Sequence, residues 1–353
     1  MYNLSSYYLP IILGGITMKK SFGTLPSGEQ AALYTISCGK LTAQISDFGA
    51  TLVRLYVPDR DGNLADVVLG YDDVNEYTTR SGHLGAAVGR NANRIGGASF
   101  SLNGKTVQLG VNNNKNNLHS GPNFFDQRMW RVEVYESDRI VLRLDSPDGD
   151  QGFPGNAVIR VSYILEGTSL KLCYDAVCDQ DTVFNMTNHT YFNLAGHNNP
   201  DLAMEQTLMM PSEVFTVADA ESIPTGELRK VSGTPFDFRT AKPIGRDIAA
   251  DYEPLNLQSG YDHNFDASIS PCAVLQDPAS GRTMEVYTDC PGVQFYSGNY
   301  LNNPGKDGVF YAKRSGICLE TQFYPDSVNH PEWSQPFTPA NTPYHSETKY
   351  EFR

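Results

Sequence analysis

Short hydrophobic runs, each closed by turn residues, recur along the whole chain and restrict it to folds made of many β-strands. Residues 50–57 form one such run, and a turn at residues 58–63 follows it at once. The other runs are residues 140–144, 157–165, 170–177, 273–275, 284–288 and 293–296. No window carries a long amphipathic helical period, and glycines and prolines are spread without a linker-like block. The pattern predicts a mostly-β, single-domain architecture with long loops.

The balance of charges limits the partners that the chain can bind. It has 353 residues, with 27 Lys and Arg against 40 Asp and Glu, and a formal net charge of −13. This excess disfavours nucleic acid and membrane surfaces as partners, but it does not disfavour a neutral small molecule. The Gly-rich loops that bind nucleotide phosphates and the Gly-x-Ser-x-Gly elbow of hydrolases are absent from the sequence.

The cysteines and the N-terminal residues indicate the cellular compartment of the protein. The six cysteines form no Cys-x-x-Cys pair and no zinc spacing, which favours a reducing, cytoplasmic location. Residues 7–16 are apolar, but no basic segment precedes them, no cleavage site follows, and they are too short to span a bilayer. Met18 and two lysines after it resemble a natural start. We expect residues 1–17 to be a non-native or disordered extension and residues 18–353 to be one domain; the alternative is an export signal.

Residues 185–194 combine polar groups with one titratable ring. On a β-strand, alternate side chains share a face, and here that face would carry Asn185, Thr187, His189, Tyr191 and Asn193. Such a row suits a ligand with many hydroxyl groups, and His189 is the side chain that can exchange a proton near neutral pH. The alternative is a structural strand whose polar side chains satisfy neighbouring backbone groups.

Five further segments concentrate polar or titratable residues among glycines and aromatic residues. They are residues 89–95, 117–121, 260–265, 291–296 and 319–324. Taken singly, each has a structural interpretation. His119 can be a loop histidine bonded to backbone, and Asp262 can cap a turn. Asn93 and Arg94 can be a pair in a surface turn.

Glu320 is more suggestive because it interrupts an apolar, aromatic strand. A carboxylate in such a strand is costly to bury without a partner or a purpose. If it is buried, desolvation raises its pKa towards a value that suits a general base. The alternative is a glutamate on a sheet surface that faces solvent.

Together, these six segments resemble the aldose 1-epimerases, the galactose mutarotases, in order and spacing. The resemblance runs from about residue 48 to residue 352. Supporting stretches are residues 57–62, 66–71, 153–155, 223–227, 234–238, 281–284, 319–326 and 329–331. The resemblance implies a β-supersandwich, a large antiparallel sandwich with an open sugar cleft.

The resemblance also implies roles for individual residues. His189 matches the family's general acid and Glu320 its general base, and His119 is a second candidate for the acid. The residues that match sugar-binding positions are Asn93, Arg94, Asp262 and Gln294. Ser120 departs from the family pattern, which commonly has a second glycine there, so it could narrow the cleft or add a hydrogen bond.

The implied chemistry is acid–base catalysis on a free aldohexose such as D-galactose or D-glucose. A base takes the proton of the C1 hydroxyl while an acid protonates the ring oxygen, and reclosure on the other carbonyl face gives the opposite anomer. Ionised Glu320 and the imidazolium of His189 fit this demand, so we expect no cofactor and no metal. Phe295 or Tyr324 could stack on the sugar or belong to the core.

Two other functions stay open at this point. A hexose-6-phosphate 1-epimerase would need clustered Arg or Lys to hold the phosphate. A non-catalytic sugar-binding module would need no matched acid and base. The expected partner is a small aldose, and the chain is expected to be a monomer or a homodimer.

Overall fold

A computed structural model of the chain describes residues 17–80 and 82–353. The expectation of an N-terminal extension over residues 1–17 lies outside the described residues, apart from Thr17. None of the helices in these two ranges has the length and hydrophobicity needed to cross a membrane.

The described residues form thirty strands and a few short helices. In chain order the strands are β1 (Met18–Thr24), β2 (Gln30–Cys38), β3 (Leu41–Ser46), β4 (Thr51–Pro58), β5 (Leu64–Asp66), β6 (Ala87–Val88), β7 (Arg94–Ile95), β8 (Ser99–Leu102), β9 (Lys105–Gln108), β10 (Asn117–Leu118), β11 (Arg131–Tyr135), β12 (Arg139–Ser146), β13 (Ala157–Glu166), β14 (Ser169–Cys178), β15 (Thr182–Val183), β16 (Thr187–Asn188), β17 (Tyr191–Phe192), β18 (Thr207–Met209), β19 (Val214–Ala218), β20 (Pro224–Lys230), β21 (Lys242–Pro243), β22 (Asp262–Asp266), β23 (Ala273–Gln276), β24 (Thr283–Thr288), β25 (Gly292–Tyr296), β26 (Asn303–Pro304), β27 (Phe310–Tyr311), β28 (Ile317–Gln322), β29 (Phe337–Thr338) and β30 (Tyr344–Phe352).

Within residues 17–80 and 82–353, helical structure is confined to short segments between strands. The α-helices are α1 (Val74–Thr79) and α2 (Glu253–Gln258). The 3-10 helices are Gly96–Ala98, Phe125–Gln127, Asp150–Gly152, Pro200–Glu205, Ile244–Arg246, Lys306–Gly308 and Ser327–Asn329. The prediction of an all-β fold is therefore confirmed.

Three sheets carry the architecture, and every pairing between the described strands is antiparallel. The largest has nine strands in the order β11-β12-β13-β14-β30-β24-β23-β18-β21. A second has six strands in the order β17-β28-β25-β22-β19-β20, and a third consists of β1 to β5 in sequence order. The other strands pair in two-stranded ribbons.

The hydrophobic core lies where these sheets face one another. In β13 the inward residues alternate along the strand, and Ile159, Val161 and Tyr163 are fully buried. They belong to one apolar cluster with Leu55 of the five-stranded sheet and Phe295 of the six-stranded sheet. Burial of alternate residues on facing sheets is the packing of a sandwich, as the sequence predicts.

The six-stranded sheet has one apolar face and one polar face. Val293, Phe295 and Leu319 point to the core. Gln294 and Glu320, which alternate with them, are directly opposite each other on β25 and β28. Because side chains alternate along a strand, a carboxylate and an amide are held side by side on the face away from the core.

Residues 185–194 do not form the single strand on which their alternating side chains would share one face. Residues 187–188 form β16, which pairs with β6, while residues 191–192 form β17, which pairs with β28. Between these short strands the backbone N–H of His189 donates to the carbonyl oxygen of Ala86 over 2.9 Å. The chain passes from one sheet to another here, and His189 lies at the crossing.

Candidate active site

A cleft of about 200 Å³ opens over the polar face of the six-stranded sheet. Of the seven residues predicted to form a site, six line it: Asn93, Arg94, His119, His189, Asp262 and Glu320. A second cleft, of about 310 Å³, is lined by residues from the sequence range 184–346. It contains none of the predicted residues. The structure thus brings together residues that are up to 227 positions apart in the sequence.

Gln294, the seventh predicted residue, acts on the cleft through Asp262. Its side-chain amide donates a 2.7 Å hydrogen bond to Oδ1 of Asp262. Asp262 begins β22, which pairs with β25, so the two side chains meet across adjacent strands. Burial raises the pKa of Asp262, although Arg94 and the bond from Gln294 oppose the shift. Gln294 therefore positions an acceptor that lines the cleft.

Glu320 is buried in the middle of β28, with 3% of its side chain exposed. Burial, together with repulsion from Asp262, raises the pKa of Glu320 well above its usual range, and Arg94 opposes this rise. Its Oε2 atom has no hydrogen-bond partner among the described residues. The carboxyl group is therefore available to a ligand, and its burial favours the protonated form.

His189 stands beside Glu320. Its Nε2 lies 3.8 Å from Oε1 of Glu320, and its Nδ1 lies 3.5 Å from the sulfur of Cys318. Burial and repulsion from His83 lower the pKa of His189 to about 3. The expectation of an imidazolium beside an ionised carboxylate therefore differs from what the structure favours, because burial favours the neutral form of both groups.

When both groups are neutral, Glu320 carries the one titratable proton of the pair. The ionised pair also holds one such proton, on His189. A transfer of that proton from the carboxyl group to the imidazole changes neither the total charge nor the proton count. Two buried groups that exchange a single proton across a cleft can serve alternately as acid and base.

His119 is held by Asn93. The backbone N–H of Asn93 donates to Nδ1 of His119 over 3.1 Å, so a neutral His119 ring carries its hydrogen on Nε2. Both residues have left-handed backbone, with φ of 59° at Asn93 and 52° at His119. Burial, with repulsion from His83, His189 and Arg94, lowers the pKa of His119 well below its ordinary value. His119 thus enters the cleft as a neutral hydrogen-bond donor.

One group of side chains has the composition of a metal site. His119, His189 and Glu320 offer ligand atoms that all lie within 4.8 Å of one another. However, Nδ1 of His119 accepts the bond from Asn93, and Nε2 then carries the hydrogen. Coordination by either nitrogen of His119 would require loss of that bond or of that proton, so the set fits proton exchange better than a resident metal.

Arg94 and the turn that carries it are fixed by polar contacts. Nε of Arg94 donates to Oδ1 of Asn113 over 3.1 Å. Four residues earlier, Arg90 is completely buried, and its guanidinium donates to the carbonyl oxygens of Ser146, Pro154 and Gly155 over 2.8 to 3.0 Å. Arg90 therefore fixes the turn that carries the cleft residues. Because it is completely buried, it does not contact a ligand in the cleft.

Ser120, Phe295 and Tyr324 each had two interpretations from the sequence, and the structure distinguishes between them. Ser120 is buried, and its hydroxyl donates to the carbonyl oxygen of Asn91 and accepts from its N–H, so it adds hydrogen bonds and does not line the cleft. Phe295 belongs to the core. Tyr324 donates to Asp266 and is likewise absent from the cleft lining.

Several cleft residues were not assigned a role in the site from the sequence, although Tyr191 was placed on the same strand face as His189. Tyr191, Tyr296 and Tyr300 line the cleft where Phe295 and Tyr324 were considered. Tyr191 had a signal, because it is two positions from His189. His83 also lines the cleft, and nothing in its sequence surroundings distinguishes it.

Comparison with known proteins gives one consistent result. The family model for aldose 1-epimerase matches residues 32–351. The galactose mutarotase of Homo sapiens is 39% identical over 338 residues, covering 94% of this chain and 97% of that protein. The aldose 1-epimerase of Haemophilus influenzae is 40% identical over 336 residues, with 93% and 97% covered.

Solved structures agree with the sequence comparisons. An aldose epimerase homologue from C. elegans superposes with a TM-score of 0.84 at 29% identity, covering 92% of this chain and 99% of that one. Galactose 1-epimerase from Lactobacillus acidophilus superposes with a TM-score of 0.84 at 26% identity, covering 96% and 99%.

Proposed function

The chain belongs to the aldose 1-epimerase family, an isomerase family, and from this we propose that its Glu320 and His189 interconvert the α and β anomers of free aldohexoses such as D-galactose and D-glucose. The observation that supports this assignment most strongly is the 3.8 Å separation between Nε2 of His189 and Oε1 of Glu320 in a cleft large enough for a sugar.

Ring opening moves one proton onto the sugar and one off it. Glu320, as carboxylate, takes the proton of the C1 hydroxyl, and His189, as imidazolium, gives its proton to the ring oxygen. The C1–O5 bond breaks and the C1 carbonyl forms. Both members of the pair are then neutral, which is the form that burial favours, and rotation about C1–C2 presents the other carbonyl face.

Ring closure reverses these transfers. The O5 hydroxyl attacks C1 and returns its proton to His189, while Glu320 gives its proton to the carbonyl oxygen. The pair must hold one proton in total at every stage. With two protons it has no base, and with none it has no acid, so activity requires a pH between these two limits.

The other cleft residues hold the hydroxyl groups of the sugar. Asp262 accepts hydrogen bonds, and Asn93 and Arg94 donate them. His119 donates from Nε2 to the ring oxygen or to a hydroxyl beside it. We assign His189 as the principal acid because it is the histidine whose Nε2 lies beside Glu320.

A hexose-6-phosphate substrate fits the cleft less well. Of the described residues that line it, Arg94 is the sole Arg or Lys, while Asp262 and Glu320 are acidic. A dianionic phosphate needs several cations or backbone donors, and these two carboxyl groups would repel it. A binding module without activity would have no use for the acid–base pair.

Polarimetry of freshly dissolved α-D-galactose and α-D-glucose tests the proposal. The wild-type protein should accelerate the approach to equilibrium rotation, and Glu320→Gln should lower kcat by about 10²–10⁴-fold while calorimetry still detects sugar binding. Glu227→Gln, an exposed glutamate paired with Arg229, is the control and should keep full activity. An unchanged rate in Glu320→Gln would refute the base assignment, and a preference for the 6-phosphate would favour the phosphohexose alternative.

We also propose a reducing compartment, the cytoplasm, for this enzyme. All six cysteines lie in the described part of the chain, and none forms a disulfide there. The prediction of a monomer or homodimer stays a prediction, and sedimentation analysis would test it.

A further inference from the structure

His83 is a third histidine in the cleft. Its ring centroid lies 5.1 Å from that of His119 and 5.8 Å from that of His189. The ring of Phe124 packs against it edge-on at 5.0 Å. The acid–base mechanism assigns His83 no role, although its distances to the other two rings are close to the 5.4 Å that separates the rings of His119 and His189.

Asp126 holds His83 from behind. Its Oδ2 lies 2.6 Å from Nδ1 of His83, and its other oxygen has no hydrogen-bond partner among the described residues. The Asp126 side chain is buried, with 8% exposed. Arg128, two residues later, pairs with Asp150 instead. A buried carboxylate needs a cation, and here the group in position to supply that charge is the imidazole of His83.

We propose that His83, held as a cation by Asp126, is a positioning residue that keeps His189 and His119 unprotonated and so sets the acidic limit of catalysis. The inference rests on the proposed function, since it concerns the proton count of the Glu320–His189 pair. It assigns a positive charge in the cleft, beside that of Arg94, to a histidine that need not transfer a proton to the sugar.

The pKa directions agree with this arrangement. Burial lowers the pKa of His83, but attraction to Asp126 and the hydrogen bond to it outweigh burial, so the pKa is raised overall. Repulsion from His83 is a cause of the lowered pKa of both His119 and His189. As the pH falls, His83 therefore takes up a proton first, and its charge delays the protonation of the other two rings.

Among the residues that the structure describes, three titratable groups face His83 from the surrounding segments. They are Asp126 from the 3-10 helix at Phe125–Gln127, His119 from the loop after β10, and His189 from the crossing between β16 and β17. Phe124 is uncharged. Beyond them, Glu320 interacts with His189, and Arg94 with His119. Asp126 is thus the anion in direct contact with His83.

Two variants test the proposal through the pH profile of kcat/KM. His83→Phe removes the charge and keeps a ring, while Asp126→Asn keeps the His83 ring and removes the anion that holds its charge. In both, the pKa of His189 should rise, so the acidic limb of the profile should move to higher pH by roughly 0.5 to 2 units, the range that Coulomb repulsion at this distance allows. Loss of packing is not expected to shift the acidic limb while the basic limb stays in place.

His345 and Asp175 provide a matched control. Nδ1 of His345 lies 2.8 Å from Oδ1 of Asp175, but both side chains are exposed and neither lines the cleft. His345→Phe and Asp175→Asn should leave the profile unchanged.

Proton NMR of the His83 ring gives a second readout that does not depend on activity. In the wild-type protein the ring should titrate above the ordinary histidine range, and in Asp126→Asn its midpoint should fall. Unshifted acidic limbs in both cleft variants, or a His83 ring that titrates below the ordinary range, would overturn the proposal. Absence of mutarotation in the wild-type protein would instead refute the proposed function, and the NMR titration would still stand.

Discussion

Asn93 and His119 hold each other through two reciprocal hydrogen bonds. The N–H of Asn93 donates to Nδ1 of His119 over 3.1 Å, and the N–H of His119 donates to the carbonyl oxygen of Asn93 over 2.9 Å. Left-handed backbone at both residues lets the two turns face each other this closely. The pair thereby fixes both the direction of the His119 ring and the nitrogen that carries its hydrogen.

His189 and His119 should differ in the kinetic parameter that their replacement changes. His189→Asn removes the partner of Glu320, and we expect kcat to fall by about 10²–10⁴-fold. His119→Asn removes a hydrogen-bond donor, so KM should rise and kcat should fall by a smaller factor. Steady-state polarimetry of both variants checks this. A larger loss of kcat in His119→Asn than in His189→Asn would make His119 the principal acid.

Asp262 should set the alkaline limit of activity. Burial and, after it, repulsion from Asp262 raise the pKa of Glu320, so Asp262→Asn should lower the pKa of Glu320. Glu320 then loses its proton at lower pH, and the Glu320–His189 pair is left without an acid sooner as pH rises. The basic limb of kcat/KM should therefore move to lower pH, while KM rises because a hydroxyl acceptor is lost.

Asp266→Asn is the control for this change, because Asp266 ends the same strand but does not line the cleft. Its basic limb should match that of the wild-type protein. A basic limb that moves to higher pH in Asp262→Asn would contradict the sign of the interaction.

Cys318 should orient the ring of His189. Its sulfur lies 3.5 Å from Nδ1 of His189, and the residue is completely buried. Cys318→Ala removes this contact, so kcat should fall about two- to tenfold, the value of one modest hydrogen bond. Cys318→Ser keeps a hydroxyl at the same place and should recover most of the loss. Equal losses in the two variants would indicate a packing effect.

Arg90 should support stability more than catalysis. A lysine cannot reproduce the fork of bonds to Ser146, Pro154 and Gly155, so Arg90→Lys should cost about 3 kcal/mol of unfolding free energy. Thermal unfolding should then show a fall in Tm of roughly 2–4 °C for each kcal/mol lost. Arg139→Lys changes an exposed ion pair with Glu136 and should leave Tm nearly unchanged. Equal Tm values for the two variants would contradict the anchoring role.

Local patterns in the sequence predict the strands well, but they do not predict which sheet a strand joins. The alternation that places Gln294 and Phe295 on opposite faces of β25 is present in the sequence. It already excludes that both side chains face the cleft. By contrast, the break at His189 arises because its flanking residues pair with strands from distant parts of the chain. Non-local pairing of this kind leaves no local signal.

The residues of the cleft likewise divide into those that the sequence indicates and those that it does not. Glu320 has a signal of its own, since a carboxylate within an apolar strand needs an explanation. The resemblance to a family locates six of the residues that line the cleft. His83 has neither signal, because its charge depends on Asp126, 43 positions away and brought close only by folding. Electrostatic partners of this type can be found only from the structure.

The position of β30 in the largest sheet has a consequence for how the protein is made. β30 lies between β14 and β24, so the two parts of that sheet cannot join before residues 344–352 leave the ribosome. After β14 is complete, translation must add about 165 more residues, which takes roughly ten to thirty seconds at ordinary elongation rates. During that time β14 presents an unpaired edge, which is the part of a nascent sheet most exposed to aggregation and to capture by chaperones.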